Sequence, residues 1–324
     1  MIYYFFSGLI FTLVFLKIFI DKISKTKFFR KEERIDSNKK PCIQELHKNK
    51  ASTPSMGGIA MNGALLVFAL VYFFFTKKIL WIALILLLYG SLGFIDDYIK
   101  LKKIRDGVSP KEKLLGLVII SSVLVVYLYF SHQIIPGIKI PFLSETFTIG
   151  IPAYVVLLVI LIVASSNGMN IVDGLDGLAA GVSSLALGFI IFYAYRIQST
   201  EVLFIALILE SACLATLFFN RYPAKIFMGD TGALMLGAAI AILLIELGIP
   251  LWLPLLLIVC VFDVISVLLQ VFSLKFFHKR IFKIAPFHHH LEKSGWKETT
   301  IVYTFWGVTL LFCFLAYLGT RGRI

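Results

Sequence analysis

Charge is scarce in this chain. Asp, Glu, Lys and Arg make up 15% of its 324 residues, where soluble domains carry about 25%. Apolar residues fill the difference at 59%, and the mean hydropathy is +0.90. No soluble domain of this size needs so much apolar residue. A soluble enzyme, a disordered chain and a nucleic-acid-binding module are therefore excluded together. Cysteine is scarce as well. Cys42, Cys213, Cys260 and Cys313 lie far apart, three of them in apolar runs, which leaves neither a disulfide framework nor metal-ligand spacing. The first apolar run lacks a basic residue ahead of it and a small-residue cleavage pattern. It reads as an uncleaved first helix rather than a secretory signal. Internal repeats and low-complexity segments are also missing.

What is present is a series of long apolar runs. A helix that crosses a bilayer needs about 20 mainly apolar residues. Ten segments qualify: 2–20, 56–75, 79–95, 115–130, 151–166, 178–195, 202–219, 231–247, 250–272 and 301–319. The expected fold is thus an all-α integral membrane protein of about ten transmembrane helices, one membrane domain over 1–324. Segment 134–149, punctuated by Pro and Gly and partly alternating, is expected to form a short external hairpin.

The connecting segments differ sharply in charge. Segments 21–50, 96–114, 220–230 and 273–300 carry ten, six, two and six Lys/Arg, while the opposite set carries six in all. The positive-inside rule puts the basic loops in the cytoplasm and both termini outside. The net charge of +12 then reports cytoplasmic loops and an anionic lipid or substrate.

Carboxylates inside a span cost about 2.5–3.5 kcal/mol each on insertion scales, so their placement is informative. Four clusters lie on the side of the basic loops. Asp96 and Asp97 end the third span in GFIDDYIK. Adjacent helical residues diverge by about 100°, so one acid can face a cleft while the other meets Lys100 or another cation. The segment NGMNIVDGLDG places Asn170, Asp173 and Asp176 three apart. Helical residues at that spacing would form a stripe, but Gly174 and Gly177 argue for a turn where backbone approaches a ligand. Asp230 opens the eighth span in NRYPAKIFMGDTG, where an aspartate suits an N-cap and also suits a hard cation shared with substrate phosphates. The run PFHHHLE holds His288, His289 and His290. Three consecutive histidines cannot all point one way, so donors facing a phosphate fit better than a three-His metal site. Lys50 precedes STPSMGG, which includes Ser55, and Lys113 starts the fourth span. Each lysine alone is an interfacial anchor. Together these features have the composition of Mg2+-assisted phosphoryl transfer to or from a lipid.

Five motifs, STPSMGG at 52–58, GFIDDYIK at 93–100, NIVDGLDGLAAG at 170–181, NRYPAKIFMGDTG at 220–232 and APFHHHLEKSGW at 285–296, resemble the phospho-N-acetylmuramoyl-pentapeptide transferase family. That family is a branch of the polyprenyl-phosphate N-acetylhexosamine-1-phosphate transferase superfamily. The aspartates are shared by the superfamily, whereas the histidine run resembles this branch. Ser52, Ser55 and Ala233 depart from the usual glycine, threonine and serine, and the linker between Asp97 and Lys113 is about one residue short. The resemblance implies a ten-helix, homodimeric enzyme of the bacterial plasma membrane with a cytoplasmic active site. It would join UDP-N-acetylmuramoyl-pentapeptide to undecaprenyl phosphate with Mg2+, giving lipid I and UMP for peptidoglycan. Carried over by motif, Asp230 matches the metal ligand, and Asp96 and Asp97 match the essential pair. Lys50, Asn170, Asp173, Asp176, Asn220 and Phe227 match the substrate surround, and Ser55 and Lys113 are further candidates to bind substrate. His288 and His290 match the histidine motif, with His289 as a donor to a phosphate oxygen.

Two other readings stay open at this point. A UDP-GlcNAc polyprenyl-phosphate transferase would share the aspartates but normally lacks the histidine run. An ion-coupled transporter would place acids near the bilayer midplane, as Glu210 in the seventh span does.

Overall fold

A computed structural model of the chain describes residues 2–23, 53–102, 104–131, 137–143 and 145–320. Among them, ten helices are long and apolar enough to cross a membrane. They are α1 (Ile2–Ile23), α2 (Gly58–Thr76), α3 (Trp81–Leu101), α4 (Pro110–Phe130), α5 (Ile151–Val172), α6 (Leu178–Arg196), α7 (Thr200–Asn220), α8 (Gly229–Glu246), α10 (Ile258–Phe277) and α12 (Glu298–Leu318). Two short helices, α9 (Leu253–Leu256) and α11 (Phe287–Lys293), sit in the connections. Strands β1 (Ile138–Lys139) and β2 (Thr146–Phe147) pair antiparallel, Ile138 opposite Phe147. The chain is an all-α, multi-pass membrane protein.

Helix α8 is the axis of the bundle. Every residue from Thr231 to Ile245 is buried, and α2, α3, α5, α6 and α7 all pack against it. Within a bilayer, helix association depends on close packing of small residues and on interhelical hydrogen bonds, because lipid is as apolar as leucine. Helix α8 uses both devices. It carries Gly232, Gly237, Ala233, Ala238, Ala239 and Ala241, and Ser165 and Ser166 of α5 donate their hydroxyls to the carbonyls of Gly237 and Leu234 at 2.8 and 2.9 Å. The outer helices present large apolar side chains instead, such as Phe74 on α2, Val123 on α4 and Phe272 on α10.

Several boundaries differ from the expected spans, and those at the end of α3 and the start of α4 matter for the site. The third span was expected to stop at 95, but α3 runs to Leu101, with Lys100 pairing with Asp96 one turn back. The fourth was expected from 115, but α4 starts at Pro110. Ser109 and Glu112 form a reciprocal capping box, with Pro110 in the first turn where its missing N–H is harmless. That start carries Lys113 into the first turn, toward Asp96 and Asp230. The ninth was expected over 250–272. The chain instead forms a single 3-10 turn at Pro250–Trp252, then α9, then α10. Pro250 and Pro254 each open a new helical turn because neither can donate inside a continuing one.

The two ends of the bundle are chemically distinct. One end holds the hairpin, the Pro250–Trp252 turn and the last turn of α12, with Trp252 Nε1 donating to the Ala316 carbonyl at 3.0 Å. The other end gathers the acidic, amide and histidine residues.

Candidate active site

The floor of the site is a backbone junction. The segment before α2 lies along the segment before α8. Phe227 N donates to Pro54 O at 2.8 Å, Gly57 N to Phe227 O at 2.8 Å and Gly58 N to Met228 O at 2.9 Å. The STPSMGG and MGD motifs are therefore one structural unit, and Ser55 lies beside Gly229.

Asp96 and Asp97 diverge as their spacing predicts. Asp97 turns to α8: its Oδ2 accepts from Thr231 N at 3.0 Å and Thr231 Oγ1 at 2.7 Å, and its Oδ1 from Asp230 N at 3.3 Å. A helix N-terminus leaves its first N–H groups unpaired, and this carboxylate satisfies two of them from a neighbouring helix. Asp97 thus caps α8 from a neighbouring helix, and the N-cap position that also suited Asp230 is held by Met228. Asp230 sits one residue inside α8, after the N-cap Met228 and Gly229, and its carboxylate is left for other partners.

Those partners are two lysines and an amide. Lys100 Nζ reaches Asp230 Oδ2 at 2.8 Å, and Lys113 Nζ reaches it at 2.6 Å. Both lysines also pair with Asp96, Lys113 at 3.1 Å. Asn170, in the last turn of α5, donates Nδ2 to Asp230 Oδ1 at 2.8 Å. Asp96 Oδ1 accepts from Val108 N at 2.5 Å, which fastens the α3–α4 loop over the cluster. One oxygen from each of Asp96, Asp97 and Asp230 lies within 4.8 Å of the others. Three carboxylates so close repel one another unless cations sit among them, and Lys100 and Lys113 supply two positive charges. Hard oxygen donors of this kind suit Mg2+ or Mn2+ rather than a thiolate-seeking metal. The residues present therefore fit a divalent ion, for which Asp96, Asp97 and Asp230 each offer a carboxylate oxygen.

The second part of the site is the turn after α5. Asp173 caps the C-terminus of that helix and is half-buried. Asp176 and Asn220, expected to face substrate, hydrogen-bond to backbone here. Asp176 Oδ2 accepts from Ala224 N at 2.9 Å. Asn220 accepts from Gly177 N at 3.0 Å and donates to Ile226 O at 2.9 Å. Glu298, at the start of α12, accepts from Asp176 N at 2.7 Å. These residues stitch the 173–177 turn to the segment before α8. Phe227, half-buried, is held through its backbone in that same segment.

The histidines split as expected for consecutive residues. His288 and His289 lie together, ring centroids 4.2 Å apart, against Gly174. A Cβ on Gly174 would stand 2.6 Å from His288 Nε2 and 3.4 Å from His289 Nε2, so only glycine admits both rings there. His289 Nδ1 pairs with Glu292 at 3.0 Å. His290 turns away, stacking on Phe287 and accepting from Lys283 N at 3.1 Å. Lys50 lies outside the described residues. The run PFHHHLE included Glu292, but nothing in the sequence singled out Glu298 or Asp263, the latter fully buried beside His288. Glu298 lies just beyond the motif at 285–296, whereas Asp263 is a lone acid in an apolar run with no spacing signal.

Comparisons with known proteins agree with this geometry. Residues 79–248 match the family model described as "Glycosyl transferase family 4". Proteins named phospho-N-acetylmuramoyl-pentapeptide-transferase match over most of their length. The one from Acetivibrio thermocellus is 40% identical over 278 residues, 85% of this chain and 84% of that protein. The one from Bacillus subtilis is 40% identical over 282 residues, 84% of each chain. The one from Anoxybacillus flavithermus is 36% identical over 319 residues, 95% of each. At this identity and coverage, with the aspartates, lysines and histidine pair gathered at one end of a ten-helix bundle, the chain belongs to the phospho-N-acetylmuramoyl-pentapeptide-transferase family.

Proposed function

We propose that this chain transfers phospho-N-acetylmuramoyl-pentapeptide from UDP-N-acetylmuramoyl-pentapeptide to undecaprenyl phosphate, releasing UMP and forming lipid I, as a homodimer with its site on the cytoplasmic face of the bacterial plasma membrane. The observation that carries the reading is the cluster of three carboxylates and two lysines at the end of the bundle predicted to face the cytoplasm. An anionic diphosphate and an anionic lipid phosphate both need cations and a metal-holding carboxylate. Asp230, with Asp96 beside it, would hold Mg2+, which neutralises charge on phosphoryl oxygens when bound.

The chain's own residues account for the rest. An oxygen of the lipid phosphate forms a bond to the sugar-bearing phosphorus as the bond from that phosphorus to the UMP oxygen breaks. Lys100 and Lys113 exchange carboxylate partners for phosphate oxygens, which costs little because both are point charges on flexible stems. Asp97 keeps α8, and so Asp230, fixed. Asp96 orients the acceptor or takes its residual proton. Phosphate monoesters have a second pKa of about 6, so the acceptor is largely dianionic near neutrality and a strong base is not required. Positioning and charge neutralisation then dominate, as in other phosphoryl transfers.

The direct test is purified protein with both substrates. UMP release and a lipid-linked muramoyl-pentapeptide are expected, and turnover of UDP-GlcNAc in its place would instead support the sister branch. A single displacement also has a pre-steady-state signature: nucleotide sugar without lipid acceptor yields no stoichiometric burst of UMP. A phosphoryl-sugar adduct trapped on Asp96 or Asp97 would replace this mechanism with a double displacement.

A further inference from the structure

Asp263 is the residue that the proposed reaction leaves without a role. It lies on α10, fully buried, inside a segment that otherwise reads as apolar. Its carboxylate faces one residue from two directions. Oδ2 stands 2.6 Å from His288 Nδ1, and Oδ1 accepts from His288 N at 3.2 Å. Both side chains are 0% exposed. The other ring nitrogen, His288 Nε2, is buried and has no hydrogen-bond partner among the described residues. It abuts Gly174, in the turn that follows Asn170 and Asp173.

A pair of this kind is a poor stability device. Taking a carboxylate out of water is costly, and apolar replacements of buried pairs are often neutral or stabilising. A buried ring nitrogen left unpaired adds to the cost. The arrangement makes sense if Nε2 has a partner that arrives with substrate. A carboxylate at Nδ1 fixes the ring plane and the tautomer, which is how orienting acids act on metal-bound and catalytic imidazoles. The neighbouring His289 is oriented by Glu292 of its own short helix, three residues away. His288 is oriented by a different helix, so its aim is set by tertiary structure.

The geometry points to Asp263 as a positioning residue for the transferase. It holds the Nδ1–H of His288 and so presents Nε2, as a hydrogen-bond acceptor, to a hydroxyl or amide N–H of the nucleotide sugar beside the 173–177 turn. This inference rests on the proposed transferase reaction and on the match of His288 to the histidine motif, which together place it against the nucleotide sugar.

The test is a double-substitution cycle in the purified full chain, with Asp263→Asn and His288→Gln. Asparagine keeps the shape but must turn an NH2 toward one of the two donors, the ring or the backbone. Asp263→Asn is expected to lower kcat/KM for the nucleotide sugar about 100-fold. The KM for undecaprenyl phosphate and the unfolding midpoint should hold. In the His288→Gln background the same change should cost less than about threefold, because the residue it acts through is gone. Asp263→Glu, which keeps the carboxylate, should recover at least tenfold over Asp263→Asn. A fully active Asp263→Asn beside an impaired His288→Gln would overturn the inference while leaving His288 in the site. An undiminished loss in the His288→Gln background would overturn it too, as would failure of Asp263→Asn to fold. A fully active His288→Gln would remove the underlying reading of His288 and the inference with it.

Discussion

Asp230→Asn is expected to lower lipid I formation by about a thousandfold, equivalent to about 4 kcal/mol of transition-state stabilisation. Asparagine still accepts from Asn170, but it removes the charge to which Lys100 and Lys113 both turn and on which a divalent ion would depend. The fold should survive. The three carboxylates repel, so removing one charge relieves strain while both lysines keep Asp96. UMP release measured beside a thermal unfolding curve separates the two effects. Wild-type protein in EDTA should fall by a similar factor and recover with added Mg2+. Turnover within tenfold of wild type, in the variant or in EDTA, would sink the metal role.

Gly93→Ala should be nearly as damaging, although Gly93 carries no chemistry. Gly93 lies one turn before Asp97 on α3, and a Cβ there would collide with the carbonyl group of Asp230 and with Thr231 N. Backbone cannot swing aside as a side chain can. The helices would have to part, and Asp97 would lose its grip on Thr231. Overpacking of this kind costs about 1–3 kcal/mol of stability. Displacing reacting groups by about 1 Å costs about 100-fold in rate. Gly63→Ala on α2 and Gly188→Ala on α6 are matched controls, since a Cβ meets nothing within 4 Å at either position. Both should be neutral or slightly stabilising, given alanine's higher helix propensity. Equal activity in Gly93→Ala and the controls would show that α3 and α8 can separate without consequence.

The spans were legible because hydropathy over about 20 residues is a strong signal. Their ends were not, because the deciding signals are local. Ser109-Pro110 with Glu112 is a capping box written in four residues, and it sets the start of α4 more than a full turn earlier than expected. Pro250 and Pro254 sit in a run apolar enough to pass for one span, yet they break it into three pieces. In the site, motif recognition found Asp96, Asp97, Asp230, Asn170 and the histidines, and the structure gathers the first four into one cluster. It did not show which of the motif residues also hold backbone. Asn220 shares a motif with Asp230 and Asp176 shares one with Asn170, and both hydrogen-bond to backbone. Asp263 shows the opposite failure: without a neighbouring pattern, only its contact with His288 marks it.

The burial of α8 has a consequence for how the enzyme experiences different membranes. Bilayers vary in hydrocarbon thickness, and lipid-facing helices answer by tilting or by drawing lipid in. Helices such as α1, α4 and α10, with long rows of exposed apolar side chains, are the ones in contact with that variation. Helix α8 touches protein on all sides from Thr231 to Ile245, so the height of Asp230 is referenced to its neighbours and not to the lipid. The Asp230 side of the carboxylate cluster is therefore insulated from thickness changes that reach the rim of the bundle.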